Sequence, residues 1–328
     1  MDKKIKVTFL YRDCEALTQK SFYTYFYNFY FNALKRNSEI DVNYILTNEK
    51  YDVTKLKGKT DVILLYDTFN TGQLCVLNEL EGINKTNIPI ISKVGDPWAA
   101  KNFDVKKYHE KLKVDAYFGP WDNEFFKKYF PSNFKFKTIF FGIEPSFYEK
   151  ITPFNDRIKK RILNSGAVAR TNFTNRIYQK LMRGDSDPMK HYKLRTMCNK
   201  LPYVDYTSTL EHEFIGDKYP LKLNKYAASI AATTDTYTIK YFEIPAASCL
   251  TFMEVTENNF GKSLGFKDGE SAIFINKNNY QEKFEEYLND TENPKWEEIA
   301  QAGREHALTN FTNDKGVESL VELIKEFV

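Results

Sequence analysis

The sequence predicts an α/β protein of two doubly wound domains, each a parallel sheet covered by helices on both faces. Three observations lead there. At 328 residues the chain exceeds what one hydrophobic core usually organises, so two domains are expected. Short apolar runs alternate with helix-length segments along the whole chain, the pattern of βαβ units. Some runs are apolar without interruption and end on an acid, as Asp61-Val62-Ile63-Leu64-Leu65-Tyr66-Asp67 does. A parallel strand buried on both faces reads that way.

In order, Ile5 to Tyr11 is a β-branched strand that delivers Arg12 and Asp13 to the loop after it. A helix pattern covers Leu17 to Asn37. Strands follow at Ile40 to Leu46, Asp61 to Asp67, Ile88 to Val94, Val114 to Phe118 and Phe136 to Phe141. Ligands on such sheets bind at the carboxyl ends of the strands, which raises Arg12, Asp13, Asp67 and Asp96 as site candidates. The competing reading is that half of them cap helices.

The run Phe22 to Phe31 surrounds its helix with aromatics instead of forming one stripe. A helix packed on two sides, with tyrosine hydroxyls at the surface, accounts for it. The sharper alternatives are an acceptor-sugar platform or a peripheral membrane contact, although only Lys20, Lys35 and Arg36 lie nearby to support the latter.

The polar segment Glu149 to Lys160 marks the expected boundary, giving domains 1–150 and 151–328. The second opens with the strand Arg161 to Gly166, a loop carrying Arg170, and a helix over Asn175 to Met182. Lys193 to Met197 and Tyr203 to Tyr206 show no clear pattern. A short helix and a small-residue strand follow through Ala232, then a strand at Ala272 to Ile275. Helices at Tyr280 to Leu288, Pro294 to Leu308 and Lys315 to Phe327 end the chain.

Composition narrows the function. Forty-seven basic and 44 acidic residues nearly cancel to a net charge of +3, which leaves no nucleic-acid footprint. Four separated cysteines without a CxxC read as reduced thiols of a cytoplasmic protein. No stretch approaches the roughly 20 apolar residues of a membrane span. The four histidines lack zinc spacing, and no G-x-G-x-x-G or P-loop follows the first strand, which argues against a metallohydrolase, a dehydrogenase or a kinase.

The most informative stretch is Asp235 to Glu254, DTYTIKYFEIPAASCLTFME. Pro245 suits the first turn of a helix, which would put Lys240 and Glu243 in the loop before it. A helix start with a lysine and a carboxylate beside it suits a diphosphate and the sugar hydroxyls attached to it. An ordinary loop–helix–strand unit with solvated charges is the competing reading.

Lys240-Tyr241-Phe242-Glu243-Ile244-Pro245-Ala246-Ala247 resembles the R/K-x-F-E-x-x-A-x-G segment of group 1 glycosyltransferases, above all the spore-maturation-protein type. Ile299-Ala300-Gln301-Ala302-Gly303-Arg304 resembles their iA-x-x-G-r helix, and Phe311-Thr312 the aromatic-Thr that follows. The resemblance covers Leu221 to Val328 well and the first half loosely. It implies the GT-B fold, two Rossmann-like domains facing a cleft, and a nucleotide-sugar-dependent glycosyltransferase of glycan biosynthesis. The donor would be a UDP- or GDP-sugar and the acceptor a hydroxyl on a glycan, lipid or protein, with no metal and no other cofactor.

Carried over by position, the resemblance implies that Glu243 binds the ribose hydroxyls and that Lys240 faces the diphosphate. Tyr241 and Gly166 would line the donor site, and Arg170 or Arg176 would be the second phosphate cation. Asp235 stands eight residues before Glu243, where relatives carry Glu, and Ser248 stands where they carry Gly. Asp96 falls on the acceptor side, with Arg12, Asp13 and Asp67, and would be the base of an inverting displacement. Asp185-Ser186-Asp187 reads as a turn or helix cap instead of a metal site. The alternative function is a non-catalytic nucleotide-sugar- or glycan-binding module. A sugar-nucleotide 2-epimerase shares the fold.

Overall fold

The computed structural model describes residues 3–11, 29–47, 50–66, 79–102, 104–169, 172, 174, 177, 181, 187–208, 213–214 and 218–328. The chain forms two compact units, 1–144 with 312–328, and 145–311.

The first unit holds a six-stranded parallel sheet in the order β2-β1-β4-β6-β7-β8. Its strands are β1 (Ile5–Tyr11), β2 (Ile40–Leu46), β4 (Val62–Leu65), β6 (Ile90–Lys93), β7 (Ala116–Gly119) and β8 (Phe136–Thr138). A separate parallel pair, β3 (Lys50–Asp52) with β5 (Glu79–Glu81), has no counterpart in the sequence reading. The continuous apolar runs are explained by burial on both faces. In β4, Val62 and Leu64 join one core with Phe9, Phe29, Tyr30 and Phe118, while Ile63 and Leu65 join the opposite core with Leu10, Leu112 and Phe126.

Helices here include α1 (Leu34–Arg36), which continues a π-turn at Phe29–Ala33, α2 (Val105–Leu112) and α3 (Asn123–Lys127). The remainder of the helix expected from Leu17 lies outside the described residues.

The second unit holds the parallel sheet β10-β9-β11-β12-β13. These strands are β9 (Ile158–Ser165), β10 (Val204–Thr207), β11 (Tyr226–Ala231), β12 (Leu250–Glu254) and β13 (Ile273–Ile275). The chain leaves β9 toward β10 on one side and later returns to β11 on the other. The carboxyl end of β9 is therefore the topological switch point, where an open α/β sheet leaves a crevice for ligand. Every residue of β11 is buried, and its alanines let neighbouring layers approach closely.

Helices of this unit are α4 (Pro188–His191), α5 (Lys193–Cys198), α6 (Tyr219–Leu223), α7 (Lys240–Ala246), α8 (Tyr280–Asn289) and α9 (Lys295–Asn310). The last helix, α10 (Asn313–Lys325), was expected with the second domain. It packs Val317, Leu320, Val321, Leu323 and Ile324 into the core of the first unit. Its amphipathic pattern specified a buried face but not which core would receive it.

Candidate functional site

The site is built around the glycine that ends β9. Gly166 has φ +110, and a Cβ there would come within 2.8 Å of both Arg195 Nη1 and Lys240 Cε. Only a residue without a side chain leaves room for two cations against the backbone. Its N–H donates to Thr207 O at 3.0 Å and its carbonyl accepts from Tyr206 Oη at 3.0 Å, which fixes the turn.

Lys240 is the first residue of α7 and 7 % exposed. Its Nζ donates to Tyr219 Oη at 3.2 Å and lies 4.5 Å over that ring. Tyr219 in turn bonds Ser165 Oγ at the strand end. Burial lowers the Lys240 ammonium to about 8, with the nearby Glu243 opposing that and Arg195 reinforcing it. Glu243 lies one turn further along the helix and is 1 % exposed.

The start of α7 differs from expectation. Pro245 sits at the sixth helical position, not in the first turn, and Lys240 and Glu243 are on the helix itself. The helix opens with tight turns, Tyr241 N–H to Thr238 O and Phe242 N–H to Ile239 O. It is too short for its amino terminus to act as an anion site, so the positive charge here comes from side chains.

Arg195, on α5, escaped the sequence reading, which placed the second cation at Arg170 or Arg176. It is 2 % exposed, its guanidinium carbon is 4.6 Å from the Tyr192 ring centroid, and Nη1 reaches Ala167 O at 3.5 Å. Its Nε and Nη2 have no hydrogen-bond partner among the described residues. Asn164 braces the helix, donating through Nδ2 to Arg195 O and Asn199 Oδ1, while its own Oδ1 is left over. Thr236 Oγ1, Thr238 Oγ1 and Glu254 Oε2 are also buried without partners. Buried polar groups in native proteins are nearly always paired. Six buried polar atoms at or beside the carboxyl ends of β9, β11 and β12 thus find no partner among the described residues.

Asp235 lies in the segment between β11 and α7, its Oδ2 2.7 Å from His191 Nδ1. Thr234 N–H donates to His191 O at 2.8 Å, binding the same segment to α4. Tyr241 was expected at the donor, but the structure places it in the scaffold. Its buried hydroxyl donates to Glu254 O and accepts from Thr233 Oγ1 and Asn259 Nδ2.

Asp96 is exposed in the turn after β6, beside Gly95, whose carbonyl accepts from Trp121 Nε1. Arg12, Asp13, Asp67, Arg170 and Arg176 lie outside the described residues. Of Asp185-Ser186-Asp187 only Asp187 is described, and it caps α4 by accepting from Met189 N–H.

The tail motif supports α7 from its far end. Ser248 follows the helix at φ +55, the left-handed position where glycine is usual. Arg157 Nη1 donates to Ala247 O and Ser248 O, and Arg304 donates to Ala246 O and Tyr148 O. Gly303 is required because a Cβ there would come within 2.4 Å of Ser271 O. These residues set where α7 ends, and with it where Lys240 and Glu243 stand.

Comparison with known proteins agrees with this architecture. Residues 189–322 match the family model described as glycosyl transferase-like, a span that contains Arg195, Asp235, Lys240, Glu243 and Arg304. No curated relative matches the chain by sequence. Solved structures do match over nearly its whole length. A glycosyltransferase from Rickettsia africae is 11 % identical with a TM-score of 0.54, covering 99 % of each chain. HepE of Anabaena, in complex with UDP and glucose, is 10 % identical with a TM-score of 0.53, over 98 % of this chain and 100 % of that one. An alpha-glucosyltransferase, in complex with UDP-glucose and DNA containing an abasic site, is 10 % identical with a TM-score of 0.56 and the same coverage. The fold is that of the GT-B glycosyltransferases. The family-model match lies mostly in the second unit and runs on into α10 of the first. Among the described residues no helix is long and apolar enough to cross a membrane.

Proposed function

We propose that this chain transfers a sugar from a nucleotide donor to a hydroxyl of a glycan, lipid or protein. The observation that carries the reading is the convergence of Lys240 and the half-unpartnered Arg195 on Gly166 at the switch point. Two buried cations against a side-chain-free backbone turn suit a diphosphate, and Arg195 offers the donor fork that phosphate oxygens take in pairs. Glu243, one helical turn from Lys240, accepts from the ribose hydroxyls in this reading. UDP and UDP-glucose in solved structures of the same fold favour a UDP-sugar over a GDP-sugar.

In this reading the bond between the anomeric carbon and the diphosphate oxygen breaks, and its electron pair stays on that oxygen. Lys240 and Arg195 carry the developing charge without a metal. Asp96, or another strand-end acid of the first unit, takes the proton of the attacking hydroxyl. Asp235, held by His191, stands on the donor side.

Differential scanning fluorimetry with UDP, GDP, dTDP, ADP and CMP tests the reading. One nucleotide should raise the melting temperature of the wild type, by mass action on the folded state. The rise should vanish in Glu243→Ala and in Arg195→Met. No stabilisation by any of the five would refute the donor site. Stabilisation without release of nucleoside diphosphate from the matching nucleotide sugar, across glycan, lipid and protein acceptors, would favour a binding module.

A further inference from the structure

One buried acid beside the donor site has no part in the reading so far. Glu254 ends β12, is 7 % exposed, and its Oε2 has no partner among the described residues. The Thr233 backbone N–H donates to its carboxyl, and its own carbonyl is held by Tyr241 and Asn259. The ionisable groups that act on it electrostatically are Arg195 and Cys198 on α5, Asp235 after β11, and the Tyr241 hydroxyl on α7. Arg195 is the same guanidinium that leans on Gly166.

Among the described residues, the buried ionisable side chains near the switch point include Arg195, Lys240, Glu243 and Glu254. A nucleoside diphosphate adds further negative charge to this group. A poorly solvated cluster resists net charge, and protons on its most readily titrated members relieve it.

Resting on the donor-site reading above, we propose that Glu254 is the proton-binding residue of the nucleotide site. Together with Lys240 it takes protons from solvent as a nucleoside diphosphate binds, and returns them as it leaves. Glu254 touches no nucleotide in this scheme and acts through the charge of Arg195. Burial pushes its carboxyl up to about 8 against the pull of Arg195, and burial brings Lys240 down to about 8. In mildly alkaline solution both are therefore partly protonated, and an arriving anion raises both.

Isothermal titration calorimetry with UDP, GDP and ADP, at about pH 8.3 in Tris and in EPPS buffer, reads the proton directly. The two buffers release different heats when they give up a proton, and the difference in apparent binding enthalpy counts the protons taken up. The expected uptake is roughly one proton per nucleotide, falling by about half in Glu254→Gln. Wild-type affinity alone should weaken several-fold between about pH 7.5 and 9, a readout that survives if the variant folds poorly. Equal heats in the two buffers, or full uptake in Glu254→Gln, would overturn the proposal while leaving the donor site in place. Failure of all three nucleotides to bind would overturn both.

Discussion

His191 and Asp235 are joined by a 2.7 Å hydrogen bond between Nδ1 and Oδ2. The acid that precedes Glu243 by eight residues is thus a tethered group, pinned to the end of α4 and reinforced by the Thr234 N–H bond to the His191 carbonyl. The tether fixes the imidazole tautomer together with the carboxylate orientation.

Untying the pair should therefore affect turnover more than nucleotide binding. Asp235→Asn and His191→Ala are each expected to lower kcat by about 10–100-fold, the scale of a mispositioned acid–base group. The nucleotide-induced rise in melting temperature should persist in both. Steady-state kinetics beside fluorimetry separates the effects, and loss of nucleotide stabilisation would place Asp235 in binding instead.

Arg195 separates stability from function. A buried guanidinium with two nitrogens that find no partner among the described residues is poorly compensated, and an apolar chain of similar length removes that burden. Arg195→Met should melt at or above the wild-type temperature without ligand, yet lose at least about tenfold in nucleotide affinity, roughly 1.4 kcal/mol. A marked fall in the ligand-free melting temperature would show that Arg195 is a structural residue.

The two groups with pKa near 8 shape the pH dependence of the ligand-free protein. Glu254 is raised from 4.5 to about 8, so the stability its protonated form contributes is complete below 4.5 and is lost as pH rises through 8. Lys240 is lowered from 10.5 to about 8, so the stability its neutral form contributes is complete above 10.5 and is lost as pH falls through 8. Together they place a minimum near pH 8. Chemical denaturation from pH 5 to 10 should show Glu254→Gln losing the falling limb and Lys240→Met the rising one.

Ser248 occupies a left-handed conformation that costs an L-residue about 1 kcal/mol relative to glycine. Ser248→Gly should raise unfolding stability by about that amount without changing the denaturant slope. A destabilised variant would mean that the buried serine side chain contributes more than its backbone strain removes.

The far end of α7 should matter to the site at its near end. Gly303→Ala forces a methyl toward Ser271 O, and Arg304→Ala frees the carbonyls of Ala246 and Tyr148. Each is expected to destabilise the chain by about 2 kcal/mol, the range for a lost buried network or a clash. Each should also weaken nucleotide binding although neither residue lies at Gly166. Unchanged nucleotide affinity in a folded Arg304→Ala would show that α7 holds its place without this support.

Much of the fold was legible because burial on both faces writes itself into sequence. β4 is apolar at every position and β11 at every position but Ser229, and all of these residues are buried. Lys240 and Glu243 were singled out from one short segment, but as loop residues, whereas the structure puts both on α7. Arg195 was not singled out. It is one of 47 basic residues, in a stretch without clear periodicity, and its position depends on Leu194 and Cys198 entering the sheet's core. The role of Pro245 was misread because its constraint was applied to an ideal helix. The real one opens in tight turns and ends under two arginines.

The return of the chain at Thr312 has a mechanical consequence. Asn313 N–H bonds Ile143 O, Gly142 N–H bonds Asn313 Oδ1, and Ile143 pairs with Thr312. The segment leaving the first unit and the segment re-joining it are thus stitched together, and the chain from Pro145 to Phe311 is a loop closed by that stitch. Tension drawn between β1 and α10 is carried across the first unit alone. It reaches the second unit only after the stitch has torn, so an optical-tweezers trace should show the first unit yielding before the second.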